Sequence, residues 1–138
     1  MQTSEIRSKF REVLEEDACV HPGSVFDPIS ARIAEDLGFE VGMFAGSIAS
    51  ATVLGAPDYI VLTLTELSDQ IRRICRASDL PLLIDADHGY GNALNAKRTI
   101  EELENSGASA VTIEDTLLPR TYQEQSVGLI SIDEGLGK

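Results

Sequence analysis

Asp85 and Asp87 stand two residues apart, directly after the apolar run Pro81-Leu82-Leu83-Ile84 and before His88-Gly89-Tyr90-Gly91-Asn92. If strand geometry persists through them, both carboxylates point the same way. Neighbouring like charges repel, so holding both ionised at one place is unfavourable without a cation. Oxygen-only ligands suit Mg²⁺, which keeps several waters and takes only one or two carboxylates directly. Gly89 and Gly91 let the following loop approach a ligand closely. The same pair also fits solvated loop acids that cap the next helix, and spacing does not choose between the two.

A second acidic pair, Glu114-Asp115, follows the run Ala110-Val111-Thr112-Ile113, and again a loop acid or helix cap accounts for it as well. Asp58, in the loop Gly55-Ala56-Pro57-Asp58, is a third contributor or an ordinary turn residue. Gly46-Ser47 closes another apolar run with small residues whose N–H groups could face an anion, although tight helix packing explains small residues equally well. His88 reads as a loop or capping residue and Tyr90 as a packing aromatic. Cys19 and Cys75 read as buried small hydrophobes. No nucleophile–base arrangement stands out.

The elements that must position these groups follow from periodicity. Residues 5–16 place Ile6, Phe10, Val13 and Leu14 on one helical face. Cys19 to Pro22 is extended and leads into Gly23-Ser24-Val25-Phe26. Asp27 caps a helix that opens on Pro28 and stops at Gly38. Val41 to Gly46 reads as a buried strand. The stretch 65–79 is amphipathic, with Leu67, Ile71, Ile74 and Cys75 inward. Pro81 to Ile84 is a strand, Asn92 to Ser106 a helix stopped by Gly107, and Ala110 to Ile113 a strand. Short apolar strands alternating with helices predict an α/β fold with a parallel sheet and crossover helices. Ser47, Asp85, Asp87, Glu114 and Asp115 then fall at or just past strand C-termini, the rim where such folds bind ligands.

Composition bounds the rest. The 138 residues, 43% of them hydrophobic, suit one domain. No run approaches the roughly 20 apolar residues of a membrane span, and the charged N-terminus lacks the apolar core of a secretory signal. Two cysteines without metal-type spacing make neither a zinc site nor a disulfide scaffold. The expectation is a cytoplasmic protein that engages neither membrane nor nucleic acid, since a net charge of −12 opposes phosphate binding. An anionic substrate would need positive charge from a metal, backbone N–H groups or a few arginines.

Taken in order, the runs SVFDPISARIAEDLGFEVGMFAGS, APD, LPLLIDADHGYGN and AVTIEDTLLP resemble the isocitrate lyase/phosphoenolpyruvate mutase superfamily, from about Phe10 to Lys138. In detail they are most similar to its Mg²⁺-dependent oxaloacetate decarboxylase branch. The resemblance implies a (β/α)₈ barrel, of which residues 1–138 hold an N-terminal helix and about the first four βα units, the N-terminal half of one domain. It implies Mg²⁺, or Mn²⁺, as cofactor, with Asp85 as the direct ligand and Asp87, Glu114 and Asp58 holding metal-bound waters. It implies that Ser47, with the backbone around Gly46 and Ile48, binds the substrate carboxylate. The expected reaction is carbon–carbon cleavage of a small 2-oxo acid, namely decarboxylation of oxaloacetate to pyruvate and carbon dioxide. A phosphonopyruvate or oxaloacetyl hydrolase is the alternative enzyme, and a non-catalytic half-barrel the alternative outside enzymes.

Two departures from the superfamily pattern stand out. Its isocitrate and methylisocitrate lyases carry a Lys-Xaa-Cys-Gly-His lid after the Glu-Asp pair. Here Thr116 to Gln123 contains neither cysteine nor histidine, and a mutase-type Lys-Asn-Ser run is missing too. A full barrel takes about 250 residues, and its later strands supply a substrate-binding arginine and histidine. The chain is therefore expected to form a homo-oligomer or to pair with a second half.

Overall fold

The computed structural model describes residues 2–119, 126 and 128–138. Four short strands, β1 (Gly23–Ser24), β2 (Gly42–Phe44), β3 (Leu82–Asp85) and β4 (Ala110–Thr112), form one parallel sheet whose spatial order is the order of the chain. Helices α2 (Pro28–Asp36), α4 (Leu64–Ala77) and α5 (Ala93–Ser106) make the crossovers. Helix α1 (Thr3–Glu15) precedes the sheet, α3 (Gly46–Ala49) with a π-helical turn (Ser50–Leu54) follows β2, and α6 (Ile132–Gly137) lies beyond β4. This is the alternation expected from periodicity, and no described helix is long and apolar enough to cross a membrane.

Each crossover helix starts where a side chain can satisfy its unpaired N–H groups. Asp27 accepts from the Ser30 amide, Thr63 from that of Glu66, and Asn92 from those of Leu94 and Asn95. Gly38 and Gly107, at φ 83° and 108°, take the left-handed turns that end α2 and α5. Register places Phe44 beside Ile84 and Ile84 beside Val111 on the helix-covered face of the sheet. Phe44 and Ile84 are fully buried there against Leu67, Ile71, Ile74 and Leu103. Each such side chain contributes roughly 1.5–3 kcal/mol of burial. This core carries the strands' C-terminal ends on a rigid base.

Helix α1 closes the opposite, N-terminal end of the sheet. Arg7 clasps it there, donating to the carbonyl oxygens of Ala108 (3.0 Å) and Glu104 (2.6 Å). Phe10 is buried, but Leu14 is 70% exposed rather than inward, because the chain leaves the helix at Glu15 before a further turn can cover it. Cys19 is also exposed, since the segment leading into β1 runs over the surface; Cys75 is half-buried, and burial pushes its thiol up to about 11. The largest correction concerns Gly46. It does not end strand β2 but opens helix α3, so the strand stops at Phe44 and the small-residue stretch is helical.

Candidate functional site

The rim at the C-terminal ends of β2, β3 and β4 gathers the acids singled out in the sequence. Asp85 is the last residue of β3 and is half-buried. Backbone N–H groups hold both of its oxygens: Gly46 donates to Oδ2 at 3.1 Å and Asp87 to Oδ1 at 3.1 Å. Each oxygen keeps a lone pair for a further partner. Gly46 is required for this approach. A Cβ there would sit 2.9 Å from Asp87 Oδ1 and 3.1 Å from Asp85 Oδ2, although its backbone is helical and would otherwise favour alanine.

Asp87 does not continue the strand. It turns into the left-handed region at φ 48°, where Asp and Asn are the best tolerated non-glycine residues. That turn, rather than strand alternation, brings its carboxylate to Asp85 and Gly46. Asp87 is 8% exposed. Burial first, then the charges of Asp85, Asp58 and Glu114, push its carboxyl up to about 6. Four carboxylates therefore share one field. Glu114 is tied to the same turn, its N–H donating to the Asp87 carbonyl at 2.7 Å, while its Oε2 accepts from the Thr116 hydroxyl at 2.7 Å. Asp58 is exposed at the other side and lines an open cleft with Tyr59, Ile60, Val61, His88, Leu118 and Pro119. Ile60 in this loop has φ 56°, a strained state for a β-branched residue.

The donor set fits a hard cation. It is all oxygen and one carboxylate is pre-oriented; the Lys138 ammonium lies at the edge of the negative field, where it donates to the His88 carbonyl at 2.9 Å. Among the described residues no three His, Cys, Asp or Glu side chains are gathered closely enough to hold an ion by themselves. Ser47 is exposed and Ile48 half-buried at the start of α3, where N–H groups lack helical partners. The Gly46 N–H is committed to Asp85, so the amides of Ser47 and Ile48 are the ones left for an anion. His88 and Tyr90, read from sequence as capping and packing residues, bury Nδ1 and the phenol oxygen with no hydrogen-bond partner among the described residues. Burial lowers the His88 pKa and raises that of Tyr90. Asp115 lies beyond the cluster, beside Gly135 of α6. Thr116, which sequence reasoning treated only as part of a lid lacking cysteine and histidine, makes a direct bond to the cluster; residues 120–123 of that segment lie outside the described residues.

Known proteins resemble this chain in sequence and fold. The chain is 61% identical to an oxaloacetate decarboxylase of Bradyrhizobium diazoefficiens and 60% identical to one of Rhodopseudomonas palustris. Each match covers 96% of the chain and 46% of the relative, so the chain spans under half the length of these relatives. Among solved structures, an oxaloacetate acetylhydrolase bound to 3,3-difluorooxalacetate superposes with a TM-score of 0.84 at 32% identity, over 95% of the chain and 46% of that protein. A phosphonopyruvate hydrolase complexed with oxalate and Mg²⁺ gives 0.82 at 28% identity, over 96% of the chain and 45% of that protein. The sheet and its crossover helices are thus of the (β/α)₈ type found in these enzymes. The family model for phosphoenolpyruvate phosphomutase matches residues 10–138, and the chain belongs to that family.

Proposed function

We propose that this chain is the N-terminal half of a (β/α)₈ lyase that decarboxylates oxaloacetate to pyruvate and carbon dioxide with Mg²⁺ or Mn²⁺. The observation that carries the reading is Asp85, held by two backbone N–H groups amid three further carboxylates, in a chain 61% identical to an oxaloacetate decarboxylase. Asp85 is the direct ligand, and Asp87, Glu114 and Asp58 hold the ion's waters. The bound ion supplies a Lewis acid for the negative charge left on the 2-oxo group as carbon dioxide departs. Ser47, with its own amide and that of Ile48, orients the substrate carboxylate, which lowers the barrier by positioning. Gly46 contributes indirectly, through its bond to Asp85 and the room it leaves for both carboxylates.

The segment after Glu114 supports decarboxylation over cleavage of a tricarboxylate, because Thr116 to Gln123 offers no cysteine or histidine to act on a second fragment. The substrate is a small 2-oxo acid and the compartment the cytoplasm. Titration with Mn²⁺ or Mg²⁺ tests the metal reading: Asp85→Ala should abolish binding, and Asp87→Ala should weaken it by about 10- to 100-fold. Equal affinity in wild type and Asp85→Ala would sink it. Joined to the remaining sequence of a relative, the chain should turn oxaloacetate into pyruvate and leave methylisocitrate intact. Release of oxalate instead of pyruvate would favour the hydrolase reading.

A further inference from the structure

Thr116 is buried, and its hydroxyl makes one hydrogen bond among the described residues, to Glu114 Oε2 at 2.7 Å. Its backbone serves a different purpose. Thr116 pairs antiparallel with Leu129, and the flanking bonds run from the Leu117 amide to the Gly128 carbonyl (2.8 Å) and from the Ile130 amide to the Asp115 carbonyl (2.9 Å). A bridge of this kind favours a β-branched side chain, and valine would serve it as well as threonine. The bridge therefore accounts for the branching and leaves the hydroxyl unexplained.

Glu114 gives the hydroxyl its use. Its backbone is fixed by the 2.7 Å bond to the Asp87 carbonyl, but its side chain is exposed. An exposed glutamate gains rotamer entropy by swinging into water, and repulsion from Asp87 adds to that tendency. We propose that Thr116 is a positioning residue of this site, whose hydroxyl holds the Glu114 carboxylate in place at the Asp87 turn. The inference rests on the metal reading above. A bond to a carboxylate is among the stronger hydrogen bonds, and the bridge to Leu129 keeps its donor stationary.

Two substitutions separate this role from a structural one. Thr116→Val keeps the branched shape and loses the hydroxyl; Thr116→Ser keeps the hydroxyl and loses the branch. Mn²⁺ affinity should fall about 10-fold or more in Thr116→Val and stay close to wild type in Thr116→Ser, with urea denaturation showing Thr116→Val folded. In a Glu114→Ala background, Thr116→Val should cause no further loss, because the cycle isolates the pair. Wild-type affinity in Thr116→Val, a weakening confined to Thr116→Ser, failure of Thr116→Val to fold, or undiminished loss in the Glu114→Ala background would each overturn the inference alone. Failure of the wild type to bind Mn²⁺ would overturn the metal reading, and this inference with it.

Discussion

Asp87 is 8% exposed, and its carboxylate feels the like charges of Asp85, Asp58 and Glu114. Its carboxyl is pushed up to about 6, from an ordinary 3.8. The folded, metal-free chain thus binds this proton more tightly than the unfolded chain does. The stabilisation that comes with protonation is fully present below about 3.8 and lost as pH rises through about 6. Asp87→Asn, which keeps the shape and tolerates the left-handed turn, should therefore stabilise the metal-free chain at pH 7.5 by about 1–3 kcal/mol. That gain should shrink below pH 6 and vanish near pH 4, as measured by urea denaturation across the range. A gain independent of pH would refute the argument. The same change should weaken metal binding, a trade of function against stability. The sequence revealed Asp85, Asp87, Glu114 and Asp58 as acids near strand ends. It could not reveal that the Gly46 amide serves Asp85, because that bond joins residues 39 apart, nor that the Thr116 hydroxyl faces Glu114.

Between elements, the boundaries that sequence reading missed lie where tertiary contact overrides local preference. Val41 to Gly46 is apolar enough for a strand, yet β2 ends at Phe44, where Ala45 becomes the N-cap of α3. The starts at Asp27 and Asn92 are legible because these caps act within three residues of themselves, whereas the helix read from 65 is capped earlier, by Thr63. Helix stops at Gly38 and Gly107 were legible for the same local reason, but their surroundings were not. A Cβ on Gly38 would meet nothing within 4 Å, whereas one on Gly107 would sit 2.8 Å from Cys75 Cβ in α4. Gly38→Ala should cost only the backbone strain, about 1 kcal/mol. Gly107→Ala carries that cost plus overpacking of α5 on α4, about 1–3 kcal/mol more. Urea denaturation of the two variants should separate them in that order, and equal losses would show that α4 yields freely at Cys75.

Across the molecule, the sheet is paired on one side only at β1 and at β4 among the described residues, and its relatives are more than twice as long. Helix α2 also shows solvent a stripe of Ile29, Ile33 and Leu37, exposed by 68%, 52% and 72% at intervals of four residues. Open strand edges and an apolar stripe both invite association. The chain on its own should self-associate in sedimentation experiments and turn over oxaloacetate far more slowly than the about 1–10³ s⁻¹ of typical enzymes. A monomer reaching such rates would contradict this. The strand order carries a different consequence for how the protein is made. Because neighbours in space are neighbours in sequence, each βα unit can dock on its predecessor as it leaves the ribosome. Helix α1 is the exception: it is made before the sheet, yet the carbonyls that Arg7 clasps belong to Glu104 and Ala108, about a hundred residues later. Docking of α1 is therefore completed only when the end of α5 has been synthesised, although its Phe10 and Val13 face Val20, Pro22 and Val41, which are made much earlier.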